Sequence, residues 1–477
     1  MSEAANGFAR LALTVTPDDA LIDVPRRIAL DGAPPGARVT LASRTERAGG
    51  AVWHAEASFV ADARGSVDTS RDAPVDGSYA GVSAMGLVWS QVPDDGKSRD
   101  VFPNAVTTPL VTTLTATVDG GGGGGGGGRG GGRGGGEAAS ARFTQRLAAD
   151  GVTRREIREH GVVGTLYLPP GAGPHPAVMI LNGSGGGINE PRAALYASRG
   201  YAALALGYFK APGLSDYISN TPLEYFENAL RWLRDTVRPA HDFVALSGQS
   251  RGGELVLLLG ATFPDAVSAV VGYVPSALVH SAQNAADPAT GREGPTWLLG
   301  GQPLPHIWEN NRTASWAPYD EGPPPHRHAR AMLTALDDAD AVERARIRVE
   351  RIRGPVMLLS AEDDGSWPSS RYSAMVAERL ARHAHPYPVE HLDFERAGHA
   401  ILFPYVPTTQ LVYAHPVSGR VSTGGGEPQA NALADERSWA AVQAFLSRAV
   451  AAHAARATHA RASDSVQHSE DHHDAQP

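Results

Sequence analysis

The run Phe243-Val244-Ala245-Leu246-Ser247-Gly248-Gln249-Ser250-Arg251-Gly252 leads through Gly253 and Glu254 into the apolar stretch from Leu255 to Leu259, with Pro264 beyond it. A short apolar segment, a serine framed by glycines and a second apolar segment closed by proline read as strand, tight turn and helix. A chain that contains this unit is restricted to architectures in which a strand end feeds directly into a covering helix. The pattern Gly248-Gln249-Ser250-Arg251-Gly252 is G-x-S-x-G. In it the central serine is held in a strained turn, and the flanking glycines let strand and helix pack closely. The helix then points its N-terminus at the serine, which favours negative charge developing there. Such a serine is a nucleophile or a turn residue, and the rest of the chain decides between them.

The surroundings repeat the strand–helix alternation. Val162 to Tyr167, Ala177 to Leu181, Tyr201 to Leu206, Ala266 to Val271 and Pro355 to Leu359 read as further strands. Pro222 to Leu233 has apolar residues at helical spacing. Alternation of this kind predicts a mostly parallel sheet covered on both faces. Residues 275–350 interrupt it; they are rich in Pro, Gly, Trp and His and are read as lid-like.

Up to about Asp150 the pattern is different. Leu11 to Val15, Ile28 to Leu30, Arg38 to Leu41 and Ala51 to Phe59 are short alternating segments with turn signals between them, which predicts a β-sandwich. Met85 and Trp89 are read as core residues of that domain. The glycine tract from Gly120 to Gly136 is broken only by Arg129 and Arg133. Strand-like segments flank it, Thr112 to Val118 and Ala141 to Leu147, so it is read as an enlarged hairpin loop, which costs little closure entropy. Its RGG-like look does not make an RNA-binding segment, because it lacks aromatic residues and the chain is acidic.

Composition bounds the chemistry. The chain has 477 residues, a net charge of −9 and no cysteine. Disulfides, thiolate metal sites and cysteine nucleophiles are thereby excluded. The charge argues against nucleic-acid binding, though a local basic pocket for an anionic substrate is allowed. No apolar run approaches the roughly 18 residues of a membrane span, and no signal peptide is read at the N-terminus. The expectation is a cytoplasmic protein with no membrane or nucleic-acid partner. The domains are then 1–150, 151–450 and a disordered tail over 451–477, whose His472 and His473 are read as solvated rather than as metal ligands.

A serine hydroxyl needs a base, and the base needs a carboxylate to orient it. In an α/β-hydrolase these follow in the order serine, acid, histidine. After the strand ending at Leu359 come Glu362, Asp363 and Asp364, at the edge where active sites form on such sheets. His391 and His399 follow; His399, after a glycine in a loop, is the better candidate. The oxyanion needs the backbone N–H of Arg251 and a second donor. The loop Asn182-Gly183-Ser184-Gly185-Gly186-Gly187 supplies it at Ser184 or Gly185. No Gly-Lys-Ser/Thr follows, so this is not a phosphate-cradling P-loop.

These stretches together resemble the acyl-CoA thioesterases related to bile acid-CoA:amino acid N-acyltransferase. The resemblance spans residues 10–450. It rests on Tyr79 to Trp89, on Asn182 to Gly187 with Glu190 and Arg192, and on Leu223 to Glu227. Asp363-Asp364 with Trp367, Gly398-His399, and Gly424-Gly425-Gly426-Glu427-Pro428 complete it.

It implies an α/β-hydrolase fold preceded by an Ig-like β-sandwich, and a triad of Ser250, Asp364 and His399. The implied substrate is a small-molecule acyl-CoA, with CoA as part of the substrate and no separate cofactor or metal. The transferase branch of that family uses a cysteine nucleophile, which this chain lacks, so hydrolysis is favoured. A carboxylesterase acting on oxygen esters and an acyltransferase remain as rival enzyme readings, and a catalytically inactive binding fold as the non-enzymatic one. Self-association is left open.

Overall fold

The computed structural model describes residues 10–118 and 137–471. The Gly120 to Gly136 tract and the tail histidines His472 and His473 lie outside the described residues. By compactness the chain divides into two units. One comprises the described residues up to Ala148 together with Leu402–Leu411 and Glu427–Glu436. The other comprises Ala149–Ile401, Val412–Gly426 and the chain from Arg437 onward. The division near residue 150 thus follows the change of sequence pattern. The two C-terminal segments in the first unit depart from the expected 151–450 span, and no change of periodicity marks them.

The first unit has two sheets. One pairs Ala12–Thr16 with Arg27–Asp31, and the latter with Val67–Asp68. The other runs Asp19–Leu21, Ala138–Arg146, Leu110–Val118, Arg38–Glu46, Val52–Val60, Asp76–Gly77 in spatial order. Leu110–Val118 and Arg38–Glu46 bury alternate residues, as a strand with one face on a core must. Leu13, Ile28 and Leu30 from the first sheet share that core with Leu41, Phe59, Leu114 and Phe143 from the second. Met85 and Trp89 are buried in it.

The second unit is built on eight strands: β1 (Thr153–Glu159), β2 (Val162–Leu168), β3 (Ala177–Leu181), β4 (Ala202–Leu206), β5 (Val244–Gln249), β6 (Ala269–Tyr273), β7 (Val356–Ala361) and β8 (Val389–Phe394). Their spatial order is β1-β2-β4-β3-β5-β6-β7-β8. β2 is antiparallel to both neighbours, and every other pair beyond it is parallel. This mixed sheet with its covering helices is the α/β-hydrolase-like fold. Every residue of β3, β4 and β6 is buried, the consequence of helices lying on both faces. The principal helices are α1 (Glu190–Ser198), α2 (Leu223–Trp232), α3 (Arg251–Thr262), α4 (Ser369–Arg382) and α5 (Pro428–Asp471), the last belonging to this unit from Arg437 onward. Residues 275–350 fall between β6 and β7 and hold short helices and strands.

One expectation is corrected. The disordered tail over 451–477 is helical as far as Asp471, as the continuation of α5. The segment Ala449-Val450-Ala451-Ala452-His453-Ala454-Ala455-Arg456 is alanine-rich, and alanine is the strongest helix former. No helix among the described residues is long and apolar enough to cross a membrane.

Candidate active site

β5 ends at Gln249 and α3 begins at Arg251, so Ser250 alone makes the turn. Its backbone is at φ 59°, ψ −119°, a conformation that costs a non-glycine residue about 1–3 kcal/mol. The surroundings enforce it. The Ser250 N–H donates to Tyr273 O at 2.9 Å, and the Ser250 carbonyl accepts from the Glu254 N–H at 3.0 Å. A Cβ on Gly248 would lie 2.1 Å from Gly252 O, and one on Gly252 would lie 2.3 Å from Leu181 O. Both glycines of the pentapeptide are therefore required by close packing of backbone on backbone.

His399 lies in the loop after β8. Its Nε2 is 2.7 Å from Ser250 Oγ and its Nδ1 is 2.9 Å from Asp364 Oδ2. A carboxylate only accepts, so Nδ1 carries the proton and donates to Asp364. In the neutral ring Nε2 is then the acceptor, and the Ser250 hydroxyl donates to it. The Asp364 side chain is 1% exposed and that of His399 13%. Asp364 Oδ1 accepts from the N–H groups of Ser366 and Trp367 at 2.8 and 3.2 Å, which fixes the carboxylate plane.

The other sequence candidates lie elsewhere. Asp363 pairs with Arg327 at 2.6 Å and accepts from the Gly426 N–H at 2.8 Å. Glu362 uses its N–H to bond Phe394 O. His391 sits within β8 and contacts Ser360 Oγ at 2.7 Å.

The segment Gly424-Gly425-Gly426 explains why both loops hold their places. Gly424 O accepts from the N–H groups of Gly365 and His399, each at 2.8 Å. One carbonyl thus ties the loop of the acid to the loop of the histidine. A Cβ on Gly425 would lie 1.9 Å from Asp363 O.

The two candidate oxyanion loops meet at the serine. A Cβ on Gly183 would be 3.2 Å from Ser250 Cβ, so the loop after β3 lies against that serine. Ser184 lines the cavity that contains Ser250 and His399, whereas Gly185 faces Pro416. Sequence reasoning missed what holds Ser184. His415 Nε2 is 3.0 Å from Ser184 Oγ, while its Nδ1 accepts from the Val417 and Ser418 N–H groups. Nε2 therefore carries the proton and donates to the serine. Burial lowers the His415 pKa to about 4, with the charge on Lys210 adding to the effect, so the ring is neutral near pH 7.

Also missed is a buried ion pair that begins one residue beyond Ser250. Arg251 is 2% exposed and Glu254 not at all, and they meet at 2.7 Å. Glu254 also accepts from Trp297 Nε1 at 2.8 Å and the His280 N–H at 3.3 Å. Arg251 donates further to Ser281 O and Gln283 Oε1. The i,i+3 spacing of Arg251 and Glu254 on a helix is the signal that could have found this pair.

Ser184, Ser250, Arg251, His328, Trp367 and His399 line one small cavity over the serine. Among the described residues no group of three or more His, Asp or Glu side chains is placed to hold a metal ion.

Residues 221–452 match the family described as BAAT / Acyl-CoA thioester hydrolase C terminal, and residues 23–159 match Acyl-CoA thioester hydrolase/BAAT N-terminal region. The chain is 30% identical over 459 residues to acyl-coenzyme A thioesterase 2, mitochondrial, of Homo sapiens, covering 93% of this chain and 86% of that protein. It is 31% identical over 430 residues to acyl-coenzyme A thioesterase 6 of Mus musculus, covering 89% and 93%. Acyl-coenzyme A thioesterase 1 of Homo sapiens is 30% identical over 442 residues, covering 90% and 94%.

Proposed function

The chain belongs to the acyl-CoA thioester hydrolase/BAAT family, and on that premise we propose that it hydrolyses acyl-CoA thioesters through a serine-bound acyl intermediate. Its relatives of known name are acyl-CoA thioesterases. The observation that carries the proposal is the continuous contact from Ser250 through His399 to Asp364 at a strained strand–helix turn.

In this reading His399 Nε2 takes the Ser250 proton as Oγ attacks the thioester carbonyl. The tetrahedral oxyanion is held by the N–H groups of Arg251 and Ser184; Ser184 is chosen over Gly185 because it faces the cavity. The C–S bond then breaks, and His399 returns the proton to the departing thiolate, a good leaving group because a thiol pKa is about 8.5. Water attacks the acyl-serine with His399 as base, and the free acid leaves. Asp364 keeps the imidazole in the required tautomer and stabilises its cation. Absence of cysteine supports hydrolysis over transfer. The two-sheet unit is read as the Ig-like sandwich of the family, and residues 275–350 as the segment that shapes the acyl side.

Ser250→Ala tests the proposal. Turnover of acyl-CoA is expected to fall by about 10⁴ or more while the thermal midpoint stays within a few degrees. Full activity in that variant ends the mechanism.

A further inference from the structure

Two turns enclose the loop after β3. On one side is the turn of the serine: a Cβ on Gly183 would lie 3.2 Å from Gln249 O and 3.2 Å from Ser250 Cβ. On the other is a hairpin of Val412–Ala414 and Val421–Thr423, which takes no part in the proposed chemistry. Two successive residues of the hairpin turn meet two successive residues of the loop. His415 Nε2 donates to Ser184 Oγ at 3.0 Å, and a Cβ on Gly185 would be 3.5 Å from Pro416 Cγ.

Within the loop, hydrogen bonds span Ser184 and Gly185 without engaging their N–H groups. The Gly186 N–H donates to Gly183 O at 3.1 Å, and Asn182 Nδ2 donates to Gly186 O at 2.6 Å. The Ser184 N–H makes no hydrogen bond among the described residues. Its direction is therefore set through the rest of the residue, and the side chain is tied to His415.

His415 is 6% exposed and rigidly held. Its N–H donates to Arg420 O at 2.9 Å, its carbonyl accepts from the Gly419 N–H at 2.8 Å, and its Nδ1 accepts from Val417 and Ser418. Backbone and Nδ1 are thus engaged within the turn, and Nε2–H alone reaches out of it. The hairpin is itself anchored: Arg420 donates to the carbonyls of Tyr319 and Asp320, and His326 bonds Val421 and Thr423 through its backbone. Burial, with the charges on Lys210 and Arg251 adding to it, lowers the His415 pKa to about 4. Near pH 7 the ring is neutral, so one nitrogen donates and the other accepts.

We propose that His415 is a positioning residue for the oxyanion site: its Nε2–H holds Ser184 so that the Ser184 N–H stays aimed at the carbonyl oxygen of the acyl group. This rests on the thioesterase reading above and deepens it.

The test separates the two ring nitrogens. In His415→Gln the amide nitrogen falls where Nε2 lies and keeps a donor for Ser184, while the acceptor for Val417 and Ser418 is lost. In His415→Asn the amide oxygen falls where Nδ1 lies and keeps the turn, while the donor is lost. On acyl-CoA, kcat is expected to fall about 100-fold in His415→Asn and only a few-fold in His415→Gln, with KM little changed in both. Ser184→Ala removes the acceptor instead and is expected to match His415→Asn, and the double variant to be no worse than either. Two ligands supply a reading that loss of packing would not split. A trifluoromethyl ketone takes the Ser250 oxygen onto its carbonyl carbon, the proton passing to His399, and leaves an oxyanion in the site; an alkyl-CoA thioether has no carbonyl. In His415→Asn the ketone is expected to bind more weakly by the factor seen in kcat, by fluorine NMR, and the thioether to bind as before. His415→Asn with wild-type kcat, His415→Gln as impaired as His415→Asn, or equal weakening of both ligands overturns the proposal. Should His415→Asn not fold, Ser184→Ala carries the same readings, and wild-type kcat there overturns it. If acyl-CoA is not cleaved, or is cleaved by Ser250→Ala, the thioesterase reading falls; the ketone, which needs only a reactive Ser250, then decides the role of His415 by the same comparison. Failure of the ketone to add to the wild-type protein overturns both.

Discussion

Gly398 and Gly425 meet backbone to backbone: a Cβ on Gly398 would stand 2.2 Å from the carbonyl oxygen of Gly425. The contact fixes the residue next to His399. Gly398→Ala must push His399 away from the Gly424–Gly426 segment, and displacements of about 1 Å in a reacting group cost about 100-fold. Steady-state kinetics are expected to show kcat falling by that order with KM little changed. An alanine variant with wild-type kcat would show that the segment does not position the imidazole.

The two adjacent aspartates separate cleanly. Asp364→Asn removes the acceptor that sets the His399 tautomer and is expected to lower kcat by about 10⁴. Asp363→Asn loosens the tie to Arg327 and Gly426 and is expected to cost no more than about 10-fold. Parallel kinetics on both variants check this, and equal losses would refute the assignment.

The Arg251–Glu254 pair is expected to behave as a structural unit. Glu254→Gln leaves a buried guanidinium without its counter-charge, at a cost of about 3–5 kcal/mol. Arg251→Met together with Glu254→Met removes both charges and is expected to recover part of that loss. Urea unfolding of the single and double variants measures both.

Acid should destabilise the fold before carboxylates titrate. His280, His328 and His415 are buried and neutral, chiefly through desolvation. Their folded pKa values lie below the unfolded value of about 6.5. The unfolded chain therefore binds protons that the folded chain refuses, so the stability these groups allow is complete above pH 6.5. It declines as pH falls toward the folded values, about 3 for His328 and about 4 for His415. Each adds a slope of about 1.4 kcal/mol per pH unit within its window. Unfolding free energies between pH 7.5 and 5 are expected to show the decline, and His415→Gln to reduce its slope by about one proton.

The sheet and the serine turn could be read from the chain because they depend on local pattern. β3, predicted over Ala177 to Leu181, occupies those residues, and α2, predicted from Pro222 to Leu233, runs from Leu223 to Trp232. The serine turn was legible because two glycines and a change of periodicity fall within ten residues. Asp364 was not separable from Asp363 by residue type, since the difference lies in which one Arg327 and Gly426 engage. It took the family resemblance to point to the second. His328 and His415 carried no signal, because they lie in irregular segments and enter the cavity through tertiary packing. The helix over 451–471 was misread because low apolar content was weighed above alanine content.

The carbonyl of Gly424 binds both the loop that bears Asp364 and the loop that bears His399. Acid and base are therefore yoked: a displacement of that strap carries them together, and their 2.9 Å spacing travels with them. The 2.7 Å contact to Ser250 crosses to the end of a different strand, and Gln249 Nε2 spans the same seam, donating to His399 O at 3.4 Å.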